Sequence, residues 1–291
     1  MANLNELRQH LHAVEQTRQI TNAMYLISAA RMKKAMQNID FNLMYMKRLR
    51  STMKDILSKT KRNSIHNRFI EEQGEGNALF VTITADKGLC GGYNSSLVEL
   101  TLEKMKEHEN AVLASIGGVG SDLFVAKGVT PDYKWYDLSL HPSLYMARQI
   151  AENFIEMYTH HQVNEAYIVY MEYVSAGVQK PVCRRILPLL RRDFLDLEYE
   201  CNYTARPIYE PSVDQVFLEI VPLYISGFIY DVFMQSAASE NAARMAAMQS
   251  ATNNADSMIA SLSAEINAVR QLEITNEIIE IAAASEISGA V

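Results

Sequence analysis

MAAMQSATNNADSMIASLSAEINAV, residues Met245 to Val269, places Met245, Met248, Thr252, Ala255, Ile259, Leu262, Ile266 and Val269 at intervals that alternate three and four without a slip. That spacing is the seam of a coiled coil, because it keeps one stripe of a helix turned toward a partner. The seam lies inside a longer uninterrupted segment. Neither proline nor glycine occurs between Phe228 and Ser288, or between Met1 and Gln73; all seven prolines and eleven of the twelve glycines fall between Gly74 and Gly227. Proline and glycine are the residues that most strongly interrupt helices. The chain therefore reads as a long helix at each end with a punctuated domain between them. The divisions are 1–70 for the first helix, 74–210 for the domain and 212–291 for the last helix.

The N-terminal segment carries the complementary stripe. Leu4, Leu7, Leu11 and Val14 continue in register through Arg18, Thr21, Tyr25, Ser28, Met32, Ala35 and Ile39. Asn3 with Glu6 three residues on resembles a capping box and marks the start. This seam is too polar for a sealed zipper, and Ile20, Met24 and Ile27 form a second apolar set on another face, which predicts more than one neighbour. Leu4–Ile39 and Met245–Val269 are expected to pair antiparallel, with Asn253 and Asp256 on the solvated side. Charge supports the pairing. From Arg31 to Arg68 eleven lysines and arginines face Asp40 and Asp55, whereas from Phe228 to Ser288 eight acids face Arg244 and Arg270. Either both faces are simply solvated, or the helices attract each other and the basic stretch also meets an acidic partner. Beyond Val269 the register breaks, and Ile274, Ile278, Ile279 and Ile281 make a new apolar stripe. It needs a sleeve from another protein, or it folds back on the domain.

Bulk properties exclude several classes. A net charge of -7 and a pI near 5.6 give no reason to expect nucleic acid. No run of about 18 apolar residues is apparent, so no membrane span is expected. The first residues lack the features of a secretory signal or organellar presequence. Cys90, Cys183 and Cys201 have no metal-ligand spacing and leave an odd thiol, which suits a reducing compartment.

Between Gly74 and Gly227 strands and helices alternate. Strands are predicted at 78–84, 111–116, 166–174 and 180–187, the last two joined through a turn at Gly177, and helices at 94–107, 119–127 and 142–158. This order predicts a small Rossmann-like α/β domain with a largely parallel sheet. Gly117-Gly118-Val119-Gly120 follows a strand and opens a helix, which suits a phosphate site or a tight turn; the full dinucleotide fingerprint and the P-loop lysine are both missing. Asp86-Lys87-Gly88-Leu89-Cys90-Gly91-Gly92 ends the first strand, where α/β active sites often sit. Cys90 could be a nucleophile, but no base is near in sequence; alternatively the glycines let two backbones approach. His10 and His12 diverge on their helix, and His160-His161 ends another. The residues alone reach a coiled coil carrying an α/β domain, with no catalysis and no cofactor expected. A scaffold protein and an enzyme using the Cys90 loop are the competing classes.

Four collinear stretches go further. Gln19 to Met24 leading to Ser28-Ala29-Ala30-Arg31-Met32, Asp86 to Asn94, Ser239 to Met245 with Ala251-Thr252, and Arg270-Gln271 with Ile274-Thr275 and Glu277 together resemble the γ subunits of rotary ATP synthases, and Tyr209-Glu210-Pro211 fits as well. The resemblance runs from residue 3 to the C-terminus. It implies a bacterial central shaft without chemistry of its own. The end helices would stand inside a threefold ring of α and β subunits. The lower part would rest on the membrane rotor ring and bind the small ε subunit, peripherally at the cytoplasmic face of the cell membrane.

Carried over residue by residue, the resemblance implies that Arg270, Gln271 and Thr275 touch loops of the β subunits. Met24 lies beside those subunits, Arg31, Lys33 and Lys34 face acidic β surface, and Ile274, Ile278 and Ile281 enter an apolar sleeve. Asp86, Lys87, Gly88, Cys90, Gly91 and Gly92 form a structural turn. Asn22 stands where the family usually has lysine, and Lys87 where it usually has arginine. Ala282 to Val291 runs longer than usual and carries Glu286, and the dithiol insertion of the chloroplast form is absent.

Overall fold

The computed structural model describes residues 4–59, 68–71, 73–74, 76–136, 142–195 and 208–288. Asn3, Cys201, the side chains from Ala282 to Ser288 and the last three residues lie outside this description, so the cap at Asn3 and the seating of Glu286 are not part of it. The elements are α1 (Leu4–Lys59), β1 (Ala78–Ile83), α2 (Tyr93–Met105), β2 (Ala111–Ile116), α3 (Gly118–Ala126), β3 (Tyr133–Trp135), α4 (Leu144–Thr159), β4 (Glu165–Ser175), β5 (Val178–Leu187), α5 (Arg192–Leu195) and α6 (Val213–Ser288). The chain divides into two compact units, Met1–Ile27 with Met245–Val291, and Ser28–Arg244.

The first unit is a helix pair. Leu7, Val14, Ala255 and Leu262 are buried together, with Leu11, Ile259, Ile266 and Val269 packed around them. Arg18 pairs with Asp256 at 2.5 Å, and the hydroxyls of Thr21 and Thr252 meet at 2.7 Å. Rising numbers on α1 meet falling numbers on α6, so the pairing is antiparallel. The polar seam positions are thus not a defect: a buried hydroxyl is tolerated when another hydroxyl answers it. Asp256, expected to be solvated, is held by Arg18; at half exposure such an ion pair contributes roughly 0–1 kcal/mol.

In the second unit a five-stranded sheet runs in the order β3-β2-β1-β4-β5, parallel except for the β4–β5 hairpin. Every residue of β1 is buried, as expected of a parallel strand covered on both faces. On one face Leu79, Val81, Ile83 and Ile168 pack against Met53 and Ile56 of α1, Phe154 of α4, and Phe217, Val221 and Ile225 of α6. On the other, Phe80, Leu113 and Val169 pack against Leu97 and Val98 of α2 and Phe124 of α3. Here too α1 and α6 run antiparallel. Asn38 Nδ2 reaches Met234 Sδ at 3.5 Å, and Asn42 Nδ2 donates to the Gly227 carbonyl at 3.1 Å. The partner of the Asn38–Asn42 stretch therefore lies upstream of Met245. The stripe of α1 continues through Asn42, Met46, Met53 and Ile56, all buried.

Three features go beyond the sequence pattern. First, α6 begins at Val213, one residue from the expected start at 212, and so passes through Pro222 and Gly227. Packing overrides the breaker signal: Phe217, Val221, Ile225 and Ile229 are fully buried, and a Cβ on Gly227 would stand 2.6 Å from Met46 Sδ. The glycine is there for close helix approach. Second, α6 holds an 18-residue window of mean hydropathy 1.6, apolar enough by composition to cross a membrane, of which 44% is buried in the protein. Phe217, Val221, Ile225 and Ile229 of this helix are buried in the core beside the sheet. Third, β3 is an added edge strand, too short to show periodicity.

The Thr21–Thr252 contact yields a test. Thr21→Cys with Thr252→Cys should close an intramolecular disulfide on mild oxidation, since the hydroxyls already touch. Thr21→Cys with Ile266→Cys, ~21 Å further along α6 at 1.5 Å per residue, should not. Gel mobility under non-reducing conditions distinguishes them, and the reverse order of efficiency would refute the register.

Candidate functional site

The glycine-rich turn after β1 is clamped by α6. Arg244 donates from Nη2 to the carbonyls of Lys87 (2.9 Å) and Gly88 (3.2 Å), from Nε to Gly88 again (3.3 Å), and from Nη1 to Glu240 Oε1 (2.8 Å). Arg244 and Glu240 are both buried and sit one helical turn apart. Burial pushes the Glu240 carboxyl above its ordinary pKa, and Arg244 pulls it back. A buried pair survives only when its remaining lone pairs and protons are satisfied, and here two backbone carbonyls take the remaining donors. Asp86 caps the neighbouring turn by accepting from Gly118 N at 3.2 Å. Tyr93 OH donates to the Ser236 carbonyl (3.4 Å) and Ser239 Oγ to that of Met171 (3.1 Å), which binds α6 to α2 and β4.

Cys90 is almost wholly buried in this turn. Its Sγ accepts from Asn94 Nδ2 at 3.3 Å, while Asn94 Oδ1 accepts from Ala85 N at 2.9 Å. Burial raises the thiol pKa, opposed by Arg244. A reactive cysteine needs the reverse, an accessible thiol held as thiolate. The second glycine cluster is a packing device. Gly117 has φ near +100°, and a Cβ there would collide with the Thr84 carbonyl; one on Gly120 would collide with the Thr84 side chain. Thr84 Oγ1 in turn donates to the Ile116 carbonyl at 2.7 Å. Among the described residues no group of three His, Cys, Asp or Glu could hold a metal ion.

The helix surfaces differ in character. On α1, Ile20 and Ile27 are more than half exposed and Met24 is half-buried; Arg31, Lys33 and Lys34, in the second unit, are exposed. On α6 the seam ends at Val269. Beyond it Leu272, Ile274, Ile278, Ile279 and Ile281 are exposed, Ile278 by 61% and Ile281 by 70%. Arg270, Gln271 and Thr275 are exposed as well, and Thr275 Oγ1 donates to the Gln271 carbonyl at 2.7 Å, which leaves both side chains on one face.

The role of the Ser239–Met245 stretch is visible only in the folded chain. The signal was present: Glu240 and Arg244, spaced i, i+4, are the only charges among small and apolar residues. Arg244→Met should leave Glu240 buried and unpaired, at a cost of about 3–5 kcal/mol. It should also free the turn, so that Cys90 reacts with a thiol reagent at least tenfold faster while Cys183 does not change. Urea midpoints and timed thiol modification check both, and an unchanged Cys90 rate would mean that the turn holds itself.

The chain matches the ATP synthase family model over residues 3–287. The ATP synthase gamma chain of Acetivibrio thermocellus is 35% identical, covering 98% of this chain and 99% of its own length, and that of Ruminiclostridium cellulolyticum is 36% identical, covering 96% of each. Two solved structures share the fold at low identity. One is a chain of the Euglena gracilis mitochondrial ATP synthase (OSCP/F1/c-ring, rotational state 3; TM-score 0.64, 17% identity, 99% of this chain and 95% of that one). The other belongs to the central stalk/c-ring of the Tetrahymena thermophila enzyme (TM-score 0.57, 23% identity, 80% and 99%). With relatives above 30% identity along their whole length, the chain belongs to the ATP synthase gamma chain family.

Proposed function

We propose that the chain is the central rotor shaft of a bacterial ATP synthase, converting rotation of the membrane ring into conformational cycling of the catalytic β subunits, and the reverse during ATP hydrolysis. One observation carries this reading. The apolar stripe of α6 outruns its intramolecular seam at Val269 and stays exposed to Ile281, a surface that calls for a sleeve. In this reading Ile274, Ile278 and Ile281 turn inside the top of an α/β ring, Arg270, Gln271 and Thr275 touch β loops, and Met24 with Arg31, Lys33 and Lys34 meets β surface lower down. The ε subunit and the membrane rotor ring bind the other end, at the cytoplasmic face of the membrane. The two proteins of similar fold come from assemblies described as OSCP/F1/c-ring and as central stalk with c-ring.

The shaft does no chemistry in this mechanism. It has a different face toward each β subunit, and each face favours a different β conformation, so a rigid rotation moves three sites through three affinities. The chain's own part is to be asymmetric and stiff. The Thr21–Thr252 layer and the Arg18–Asp256 pair resist sliding of one helix past the other, and the Arg244 clamp resists twisting of α6 against the sheet. A non-catalytic role is supported by the buried Cys90 and by glycines that serve packing.

Gln271→Ala with Thr275→Ala should weaken assembly or turnover of the complex without unfolding the shaft. Hydrogen bonds to charged groups, shielded from water, are worth roughly 1.5–3 kcal/mol, and a 1.4 kcal/mol loss is about tenfold in an equilibrium. Asn253→Ala, whose side chain accepts only from Gln249 Nε2 on the same helix, should have little effect. Copurification with α and β subunits, followed by ATPase assay, measures this. Unchanged assembly and turnover in the double variant would show the face to be solvated, and failure of the natural chain to bring down α and β subunits would favour a scaffold role.

A further inference from the structure

A cleft of about 410 Å³ opens in the second unit between α1, β5 and α6. Tyr224 and Phe228 line it with stacked rings, centroids 6.5 Å apart. Three guanidinium groups line it too, from Arg50, Arg184 and Arg185. Two of them are partly committed. Arg184 Nη2 donates to Glu172 at 2.7 Å; Arg185 Nη2 donates to both oxygens of Asp193 (3.2 and 2.9 Å) and its Nε to the Pro188 carbonyl (3.2 Å). Asp193 also lines the cleft, but its carboxylate is occupied by Arg185 and by the Leu190 amide, so its charge is already answered.

Arg50 stands apart. Its Nε is buried away from solvent and has no hydrogen-bond acceptor among the described residues. A buried charged donor without an acceptor is costly, and native proteins rarely keep one that nothing fills. A guanidinium without an acceptor favours an anionic one, because charge-assisted hydrogen bonds are the strong ones. The arginines that line the cleft come from two elements, which suits a tetrahedral group with several acceptor oxygens better than a planar carboxylate. The volume lies within the range of small-molecule sites.

We infer that this cleft binds a phosphate group, with Arg50 as its principal donor and Arg184 and Arg185 completing the cradle beside the Tyr224–Phe228 rings. The phosphate is either free or part of an anionic lipid headgroup, and the two sources separate in one experiment on the full chain. Sodium phosphate should raise the Tm of the natural chain by about 2 °C or more over sodium chloride at equal ionic strength, since binding to the folded state alone stabilises it. Arg50→Met should abolish that rise, and Arg50→Lys should keep only part of it. In phosphate-free buffer the Arg50→Met chain should be at least as stable as the natural one, because the charge removed had no partner. In the second arm the chain is floated with vesicles of phosphatidylglycerol in phosphatidylcholine. A phosphate-dependent Tm rise without flotation identifies free phosphate. Flotation lost at least tenfold in Arg50→Met, without a phosphate effect, identifies the headgroup. The inference is overturned by absence of both responses, by either response persisting in Arg50→Met, or by a lower Tm of Arg50→Met in phosphate-free buffer.

Discussion

Helices of 56 and 76 residues are held chiefly by what is buried along them, because in proteins most helical stability comes from packing of an apolar face rather than from propensity. The antiparallel pairing of α1 with α6 supplies that burial, and the remaining features follow from it. A strict three-four stripe gives the direction of packing but not the register. Register comes from the polar layers. Two threonine hydroxyls that meet across the seam, each also bonded to a carbonyl of its own helix, and an asparagine aimed at the Gly227 carbonyl, lose their cross-helix partners on a slip of one turn. Buried polar groups commonly serve to select one alignment at some cost in stability.

The Glu240–Arg244 pair solves a second problem. A helix lying on a sheet through apolar contacts alone is held against separation but weakly against rotation about its own axis. Arg244 removes that freedom by gripping two successive carbonyls in a turn whose Leu89 and Gly91 both have positive φ. The fork geometry matters: lysine would supply one compact charge in place of the planar set of donors. Lys87 contributes its backbone carbonyl to this clamp, so the departure from the arginine usual in the family does not touch this contact.

Much of this was legible in the residues. The seam of α1 from Leu4 to Ile39 falls on buried or half-buried positions with Arg18 as the exception, because heptad spacing is a long-range signal that one substitution cannot hide. Strands β1, β2 and β4 were legible because buried strands are dense in apolar residues, and β5 because the turn at Gly177 follows β4 directly. The last helix was legible from 212 onward, and it continues through Pro222 and Gly227 because four fully buried side chains between Phe217 and Ile229 outweigh the local preference. What escaped depended on tertiary context. The Arg244 clamp joins residues more than 150 positions apart, and no spacing rule reaches that far. Asp256 looked solvated because its partner, Arg18, lies on the other helix.

The exposed end of α6 is where stability and use oppose each other. A folded monomer gains nothing from keeping five large aliphatic side chains in water between Leu272 and Ile281, and it risks association through them. Polar replacements would be harmless to the helix, whose backbone bonds are satisfied internally. That the stripe is apolar, and that Gln271 and Thr275 interrupt it on one face only, makes sense if the surface is buried elsewhere and must be both slippery and sided. Apolar contact supplies the first property because dispersion and hydrophobic burial are non-directional and change little as a surface turns. Hydrogen bonds supply the second because they are directional and are lost once geometry fails. A tip that combines them can rotate within a sleeve and still distinguish one angle from the next.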